Sequence, residues 1–242
     1  SPATLTVLRE NASRRQLDTV ATLPNTRRPT PLGHAGEQIH AVHFAGSRAY
    51  LVTFRRTDPL YLLDLSDPAD PRTAGELVTP GFADYLFPVG GDRLAGVGHD
   101  ADAQGVVQGL QVAWYDVADP AHPRLLQRRT LGGPGSPSAL DHSRHGVDVA
   151  TQGSRIRVAL PVRVFETRQG QQVPTWQGLV RWGFDPATGA VTEHITETTR
   201  FSTPGFDPSL DDRFSLRKER ARLVDTGSYY LSGGEVRHIP AP

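Results

Sequence analysis

The chain carries a repeated segment in which an apolar strand ends in a turn rich in aspartate and proline. The first copy is YLLDLSDPADPR at residues 61–72, and the second is AWYDVADPAHPR at residues 113–124. Aspartates and prolines occupy matching places in the two copies: Asp64, Asp67, Pro68 and Pro71 against Asp116, Asp119, Pro120 and Pro123. We expect Asx-type turns at Asp67 and Asp119, and the prolines end each strand. The repeat therefore predicts strands that turn at regular intervals.

A hairpin precedes each copy of the repeat, and a further strand follows it. The hairpins are AVHFAGSRAYLVTF (41–54) and YLFPVGGDRLAGVG (85–98), and the following strands are RTAGELV (72–78) and RLLQRRTL (124–131). Each unit thus holds four antiparallel strands within about 40–50 residues, which is typical of one blade of a β-propeller. The 24 glycines and 20 prolines agree with many short strands joined by turns.

Three full blades and partial terminal blades can be recognised along the chain. We predict one all-β domain over residues 1–242, a β-propeller of four-stranded antiparallel blades or a fragment of one. Its blade portions are 4–23, 39–78, 84–131, 145–198 and 221–239. Four blades would make a small propeller, so a portion of a larger ring is an equally good interpretation.

Composition and charge exclude several classes of function. The 26 basic and 26 acidic residues leave no net charge, so nothing favours nucleic acid or a membrane surface as a partner. No apolar run approaches the roughly 18 residues of a membrane-spanning helix. The absence of cysteine excludes disulfides and thiol chemistry and fits an exported protein. Methionine is also absent, even at position 1, so we expect a processed chain or a piece of a longer one.

Several longer segments carry a resemblance to a known family. They are GEQIHAVHFAGSRAYLVTFRRTDPLYLLDLSDPADPR (36–72), DRLAGVGHDADAQGVVQGLQVAWYDVADPAHP (92–123), LDHSRHG (140–146) and WQGLVRWGFD (176–185). Together they resemble the bacterial and archaeal family described as secreted proteins with a C-terminal β-propeller domain. The resemblance implies a propeller and an exported location. It supplies no catalytic residues, and members of the family are usually much longer than this chain.

The segment HDADAQG at residues 99–105 matches the beginning of a calcium loop. Asp100, Asp102, Gln104 and Gly105 stand at positions 1, 3, 5 and 6 of the D-x-D-x-D/N-G pattern. In that pattern alternate side chains converge on a hard cation, and the glycine permits the sharp turn. Gln104 offers only a neutral amide oxygen, so we predict a weak or lost calcium site, with a solvated hairpin loop as the alternative.

Comparison of the first two blades places this segment in an insertion. The turn residues Arg48 and Arg93 are 45 apart, whereas Asp64 and Asp116 are 52 apart, so seven residues are inserted in the second blade. The insertion lies between the second and third strands, a connection that belongs to the top face of a propeller, where ligands usually bind.

A second candidate site follows from blade position. His40, Asp84, Asp141, His142 and Arg220 would each stand at the beginning of an innermost strand, near the mouth of the central channel. This predicts a polar cluster that combines acid, base and cation in one place. The alternative is that these residues only line a wet channel.

Two functions of different class remain open. The first is a non-catalytic binding or scaffold module, secreted or in the cell envelope, whose partner is a protein or a glycan at the cell surface. Its contact surface would comprise the charged top-face residues Arg55, Arg56, Asp58, Asp100, Asp102, Glu166 and Arg168. The second is a metal-assisted hydrolase or lyase that uses His142, Asp141, His40 and Asp84. Calcium is the one cofactor that the sequence predicts, and the common catalytic motifs G-x-S-x-G, Walker A and H-E-x-x-H are absent.

Overall fold

The computed structural model describes residues 3–54, 58–201, 208 and 211–241. The predicted contact residues Arg55 and Arg56 lie outside these ranges, as does the side chain of Asp58. Within them the chain consists mainly of β-strands, which are joined by turns, loops and short 3-10 helices. No helix in this part of the chain combines the length and apolar character that crossing a bilayer requires.

The strands form antiparallel sheets in which each strand pairs with its neighbour in sequence. The first sheet has two strands, β1 (Leu5–Asn11) and β2 (Gln16–Leu23). Blade one contains β3 (Gln38–Ala45), β4 (Arg48–Phe54), β5 (Asp58–Asp64) and β6 (Arg72–Thr79). Blade two contains β7 (Phe82–Pro88), β8 (Arg93–Ala101), β9 (Val107–Asp116) and β10 (Arg124–Leu131). Blade three contains β11 (Asp148–Gln152), β12 (Arg155–Arg168), β13 (Gln171–Phe184) and β14 (Val191–Arg200). The last sheet contains β15 (Arg220–Val224), β16 (Gly227–Ser232) and β17 (Glu235–Pro240).

This arrangement confirms the predicted fold class of four-stranded antiparallel propeller blades. Each full blade keeps its strands in sequence order, and the first strands β3 and β7 of successive blades contact each other along the inner side. In the described ranges the sheets follow one another as blades without closing a ring.

Apolar side chains from facing blades form the core. Between blades two and three, Trp114 and Phe184 are fully buried, and their rings stack with centroids 5.2 Å apart. Between blades one and two, Leu62 and Tyr115 belong to a second cluster, which is also closed to solvent. Burial of such large side chains stabilises each interface by about 1.5–3 kcal/mol per residue. Trp114 therefore contributes to the packing between blades two and three.

The repeated aspartates form the predicted turns. Asp67 accepts a hydrogen bond from the Ala69 amide at 2.9 Å, and Asp119 accepts one from the Ala121 amide at 3.0 Å. The earlier aspartate of each copy binds the arginine that opens the next strand, as in the contact of 2.6 Å between Asp64 and Arg72.

The Asp64 carboxylate is stabilised in its ionised form by these contacts. Hydrogen bonds from Ser66 and then from Arg72 lower the pKa of Asp64 from 3.8 to about 2. The equivalent Asp116 also has a lowered pKa, because it accepts hydrogen bonds from the Ala118 amide and from Arg124. The sequence repeat is thus a repeat of the same turn chemistry.

Blade three is joined to the last sheet by a buried polar network. The Glu219 carboxylate, 2% exposed, accepts hydrogen bonds from Gln177 at 2.7 Å, from Ser232 at 3.0 Å and from the Tyr230 hydroxyl. Arg163 Nε donates to the Gln177 side-chain oxygen at 2.8 Å. Burial raises the pKa of Glu219 above its ordinary value, against the opposing effect of these hydrogen bonds.

Candidate functional site

Antiparallel connectivity brings one end of several strands together at the top face. The beginning of a blade's first strand and the end of its second strand lie at the same end of the sheet. His40 near the beginning of β3, Asp84 near the beginning of β7 and His99 near the end of β8 therefore belong to this end. Asp141 reaches it from the connection between blades two and three.

These four side chains border one cavity of about 530 Å³, which we call the mouth cavity. Its lining residues come from blades one and two and from the connection that follows. They are His40, Ala41, Val42, His43, Asp84, Tyr85, Leu86, Phe87, His99, Leu140, Asp141 and Arg144. The lining combines acids, imidazoles and one guanidinium, so the mouth cavity is suited to a polar or charged ligand.

His99 lies at the centre of the polar group. Its side chain is 18% exposed, and its Nδ1 lies 2.9 Å from Asp84 Oδ2. Its Nε2 lies 3.9 Å from Asp141 Oδ1 on the other side. His40 Nδ1 lies 3.8 Å from Asp84 Oδ1, and the Phe82 ring packs against both imidazoles, with centroids 4.9 Å from His40 and 5.4 Å from His99.

The two carboxylates favour positive charge at His99. Burial alone is the strongest influence and would lower the pKa of this ring. The hydrogen bond to Asp84 and the charges of Asp84 and Asp141 together outweigh burial and raise the pKa of His99 above its ordinary value. The two carboxylates therefore make the electrostatic potential at His99 negative.

Two β-bulges aim the side chains of blades one and two into the cavity. In the β3–β4 pairing the register shifts between Ile39 and Ala41, which leaves His40 as the extra residue. In the β7–β8 pairing the register shifts between Ala83 and Tyr85, which leaves Asp84 in the equivalent place. A bulge bends its strand and redirects the side chain of the extra residue, and bulges are common beside binding sites.

The bulge at Asp84 depends on a glycine in the facing strand. A Cβ atom on Gly98 would lie 2.1 Å from the Phe82 carbonyl oxygen and 2.7 Å from the Asp84 amide nitrogen. The close approach of β7 to β8 at this point therefore requires glycine.

A short 3-10 helix, Ala139–Asp141, holds the third acid in place. The Ser138 amide donates to Asp141 Oδ2 at 2.9 Å, and the Ser138 hydroxyl donates to Asp141 Oδ1 at 3.0 Å. This capping box orients the carboxylate, while the buried Leu140 anchors the turn. The segment was expected to enter an inner strand directly, and it does so only after this turn and a second one, Arg144–Gly146.

The structure brings together only some of the predicted channel-mouth residues. His40, Asp84 and Asp141 meet in the mouth cavity, whereas His142 is exposed and is not among its lining residues. Arg220 lies in β15, where it donates to the backbone carbonyls of Arg217 and Glu219.

Sequence reasoning missed His99 and Arg144. The signal for His99 was the hairpin itself, because a turn at Gly90 and Gly91 brings position 99 to the beginning of β7, where the register shift at Asp84 then pairs it with Phe82. The sequence pattern singled out His99 only as the first residue of the predicted calcium segment.

The calcium segment forms a tight loop between β8 and β9. The Asp102 carboxylate accepts hydrogen bonds from the Gln104 amide at 3.0 Å, from the Val106 amide at 2.9 Å and from the Gln108 side chain at 2.7 Å. Asp100 Oδ1 accepts from Arg128 Nη1 at 2.9 Å. Both carboxylates thus have protein partners that a calcium ion would have to displace, and calcium binding by Asp100, Asp102 and Gln104 stays a prediction.

Two curated archaeal proteins resemble part of the chain. An uncharacterized protein of Methanocaldococcus jannaschii is 36% identical over 107 residues, which cover 44% of this chain and 16% of that protein. An uncharacterized protein of Archaeoglobus fulgidus is 37% identical over 95 residues, which cover 39% of this chain and 14% of that protein. The matched region thus spans a small part of each relative's length.

Solved structures show only a distant likeness. Cobalt-substituted Synechocystis ACO has a TM-score of 0.35 and 14% identity, over 68% of this chain and 39% of that one. MPT-1, a GDP-Man-dependent mannosyltransferase from Leishmania mexicana, has a TM-score of 0.29 and 12% identity, over 86% of this chain and 87% of that one. Likenesses at this level carry no conclusion about the site.

The family comparison agrees with the blade repeat and with the observed sheets. The family model described as beta propeller domain matches residues 1–238, which is nearly the whole chain. The chain therefore belongs to this family of beta propeller domains.

Proposed function

We propose that this chain is a binding module of the cell surface, and that its mouth cavity is the binding site. The observation that supports the proposal most directly is the convergence of His40, Asp84, His99 and Asp141 from successive blades on one cavity. Rigid blades present such a group at fixed distances, and binding residues in a propeller lie on this face.

The chemistry of the mouth cavity favours a partner that is polar and rich in hydrogen-bond donors. Asp84 and Asp141 supply acceptor oxygens, and the imidazoles of His40 and His99 can donate or accept. A glycan or a polar protein loop meets these requirements. The proposed location is extracytoplasmic, either secreted or in the cell envelope, and it rests on the sequence resemblance.

A glycan array and a panel of cell-surface extracts test this proposal. The purified chain should bind at least one class of polar glycan or surface protein, and the double variant D84N/D141N should reduce that binding by about tenfold or more. The control is D119N, which removes a carboxylate at the opposite end of blade two. Equal binding by wild type and D84N/D141N would reject the mouth cavity as the binding site.

A metal-assisted hydrolase or lyase is the second candidate function. It is favoured by the position of His99 between the carboxylates of Asp84 and Asp141, an arrangement that can hold a proton or a metal ion beside a substrate. A screen of polysaccharide and ester cleavage by wild type and by H99Q tests it. Cleavage by wild type that H99Q loses would support the enzyme, and no cleavage of any substrate would reject it.

A further inference from the structure

We propose that the mouth cavity binds a divalent transition-metal ion, with Zn²⁺ as the representative, through His99, Asp84 and Asp141. The inference rests on the proposed function in one respect, namely that this cavity is a binding site. It adds that the cavity binds a metal ion, which the protein's own side chains would hold.

The three residues have the spacing of a metal-ligand set. One ligand atom from each of Asp84, His99 and Asp141 can be chosen so that all three atoms lie within 4.8 Å of one another. Atoms bound to the same Zn²⁺ at about 2.0–2.2 Å are roughly 3–4 Å apart. The 3.9 Å between His99 Nε2 and Asp141 Oδ1 is too long for a hydrogen bond and falls within this range.

The supporting structure holds these groups in place before any ion binds. Asp84 is set by its bulge and by the close approach of Gly98, and Asp141 is set by the two hydrogen bonds from Ser138. His99 is largely buried against Phe82. Little side-chain freedom is lost when these ligands bind an ion, which favours affinity.

The ligand set selects the class of metal. An imidazole nitrogen with two carboxylates suits Zn²⁺ and similar first-row ions, whereas Ca²⁺ prefers six to eight oxygen ligands. Two carboxylates and a neutral imidazole leave a site charge of −2, which one divalent ion neutralises. Three protein ligands leave a coordination position open toward the mouth cavity, as in zinc sites that bind an external ligand.

Calorimetric titration of the chelator-treated chain with Zn²⁺ alone tests the inference. We expect one ion per chain, and H99Q, D84N and D141N should each weaken binding by about tenfold or more. The matched control is H122Q, because His122 Nδ1 lies 2.8 Å from Asp119 Oδ2 in an equivalent exposed pair that has no third ligand group among the described residues. H122Q should bind Zn²⁺ as the wild type does.

A second measurement uses the wild type, so its result does not depend on whether the variants fold. In the imidazole ¹⁵N spectrum of the wild type, Zn²⁺ should shift the His99 Nε2 signal, and an excess of Ca²⁺ should not reverse the shift. Absence of stoichiometric Zn²⁺ binding, unchanged binding by H99Q, or displacement by Ca²⁺ would overturn the inference.

The two proposals can fail separately. The Zn²⁺ titration contains no glycan or protein partner, and partner binding is repeated in the presence of chelator. Zn²⁺ binding without any partner would reject only the proposed cell-surface role. Partner binding that persists in chelator, in a chain that binds no Zn²⁺, would reject only the metal.

Discussion

His40 and Asp84 occupy the same structural position in successive blades, because each is the extra residue of a β-bulge in the first strand. The bulges bring His40 Nδ1 to 3.8 Å from Asp84 Oδ1 across the boundary between the blades. The same bulge thus occurs in the first strand of two successive blades. It places a base, His40, and an acid, Asp84, side by side in the mouth cavity.

The bulge at Asp84 should fail when Gly98 gains a side chain. We expect G98A to be less stable by about 1–3 kcal/mol, because the added Cβ would collide with the Phe82 carbonyl oxygen. Urea denaturation measures the loss. The control is G153A, where the Cβ would meet no atom within 4 Å and only the cost of the positive φ remains. Equal stability of G98A and wild type would contradict the role given to Gly98.

The turn at Asp64 should contribute to stability in a pH-dependent way. Its folded-state pKa of about 2 lies below the ordinary 3.8, so its contribution is complete above about pH 4 and is lost as the pH falls toward 2. We expect D64N to be less stable than wild type by about 1 kcal/mol at neutral pH. The difference should shrink steadily below pH 4 in denaturation curves. A difference that stayed constant from pH 5 to pH 2 would contradict this account.

The two buried tryptophans should differ in their response to phenylalanine. Trp182 Nε1 donates to Glu193 Oε2 at 2.6 Å, whereas Trp114 Nε1 has no hydrogen-bond acceptor among the described residues. W182F should therefore be less stable than W114F by about 1 kcal/mol or more, since it also loses a hydrogen bond to a carboxylate. Chemical denaturation of both variants provides the comparison, and the reverse order would argue against this hydrogen bond.

The buried network at Glu219 should be essential for the contact between blade three and the last sheet. We expect E219A to cost about 3 kcal/mol or more, because Gln177, Tyr230 and Ser232 lose their common acceptor. E235A is the control, since Glu235 pairs with Arg237 at the surface and should cost less than about 1 kcal/mol. Similar losses in the two variants would show that the network contributes little.

The sequence predicted the blade architecture because the turn chemistry repeats. Asp64 and Asp116 end their strands in the same way, and the strand pattern between them has a regular period. The same reasoning by position brought His40, Asp84 and Asp141 together correctly. These residues could be found because their location depends on topology, which the repeat determines.

The remaining parts of the site depend on local geometry that the repeat does not determine. A bulge shifts the pairing by one residue. Strand alternation therefore predicts neither the direction of the Asp84 side chain nor its contact with His99. The 3-10 turn at Asp141 separates it from the neighbouring His142, which is exposed and does not line the cavity. Short hydrogen-bonded turns of this kind depend on single side chains such as Ser138.

We propose above that the mouth cavity is the binding site of this propeller. The most direct test is the imidazole ¹⁵N–¹H spectrum of the whole chain, recorded while the strongest partner from the glycan and surface-protein screen is added. We expect the signals of His40 and His99 to shift with the partner's concentration, while those of His122 and His238 stay in place. Shifts confined to His122 or His238, with His40 and His99 unchanged, would contradict it.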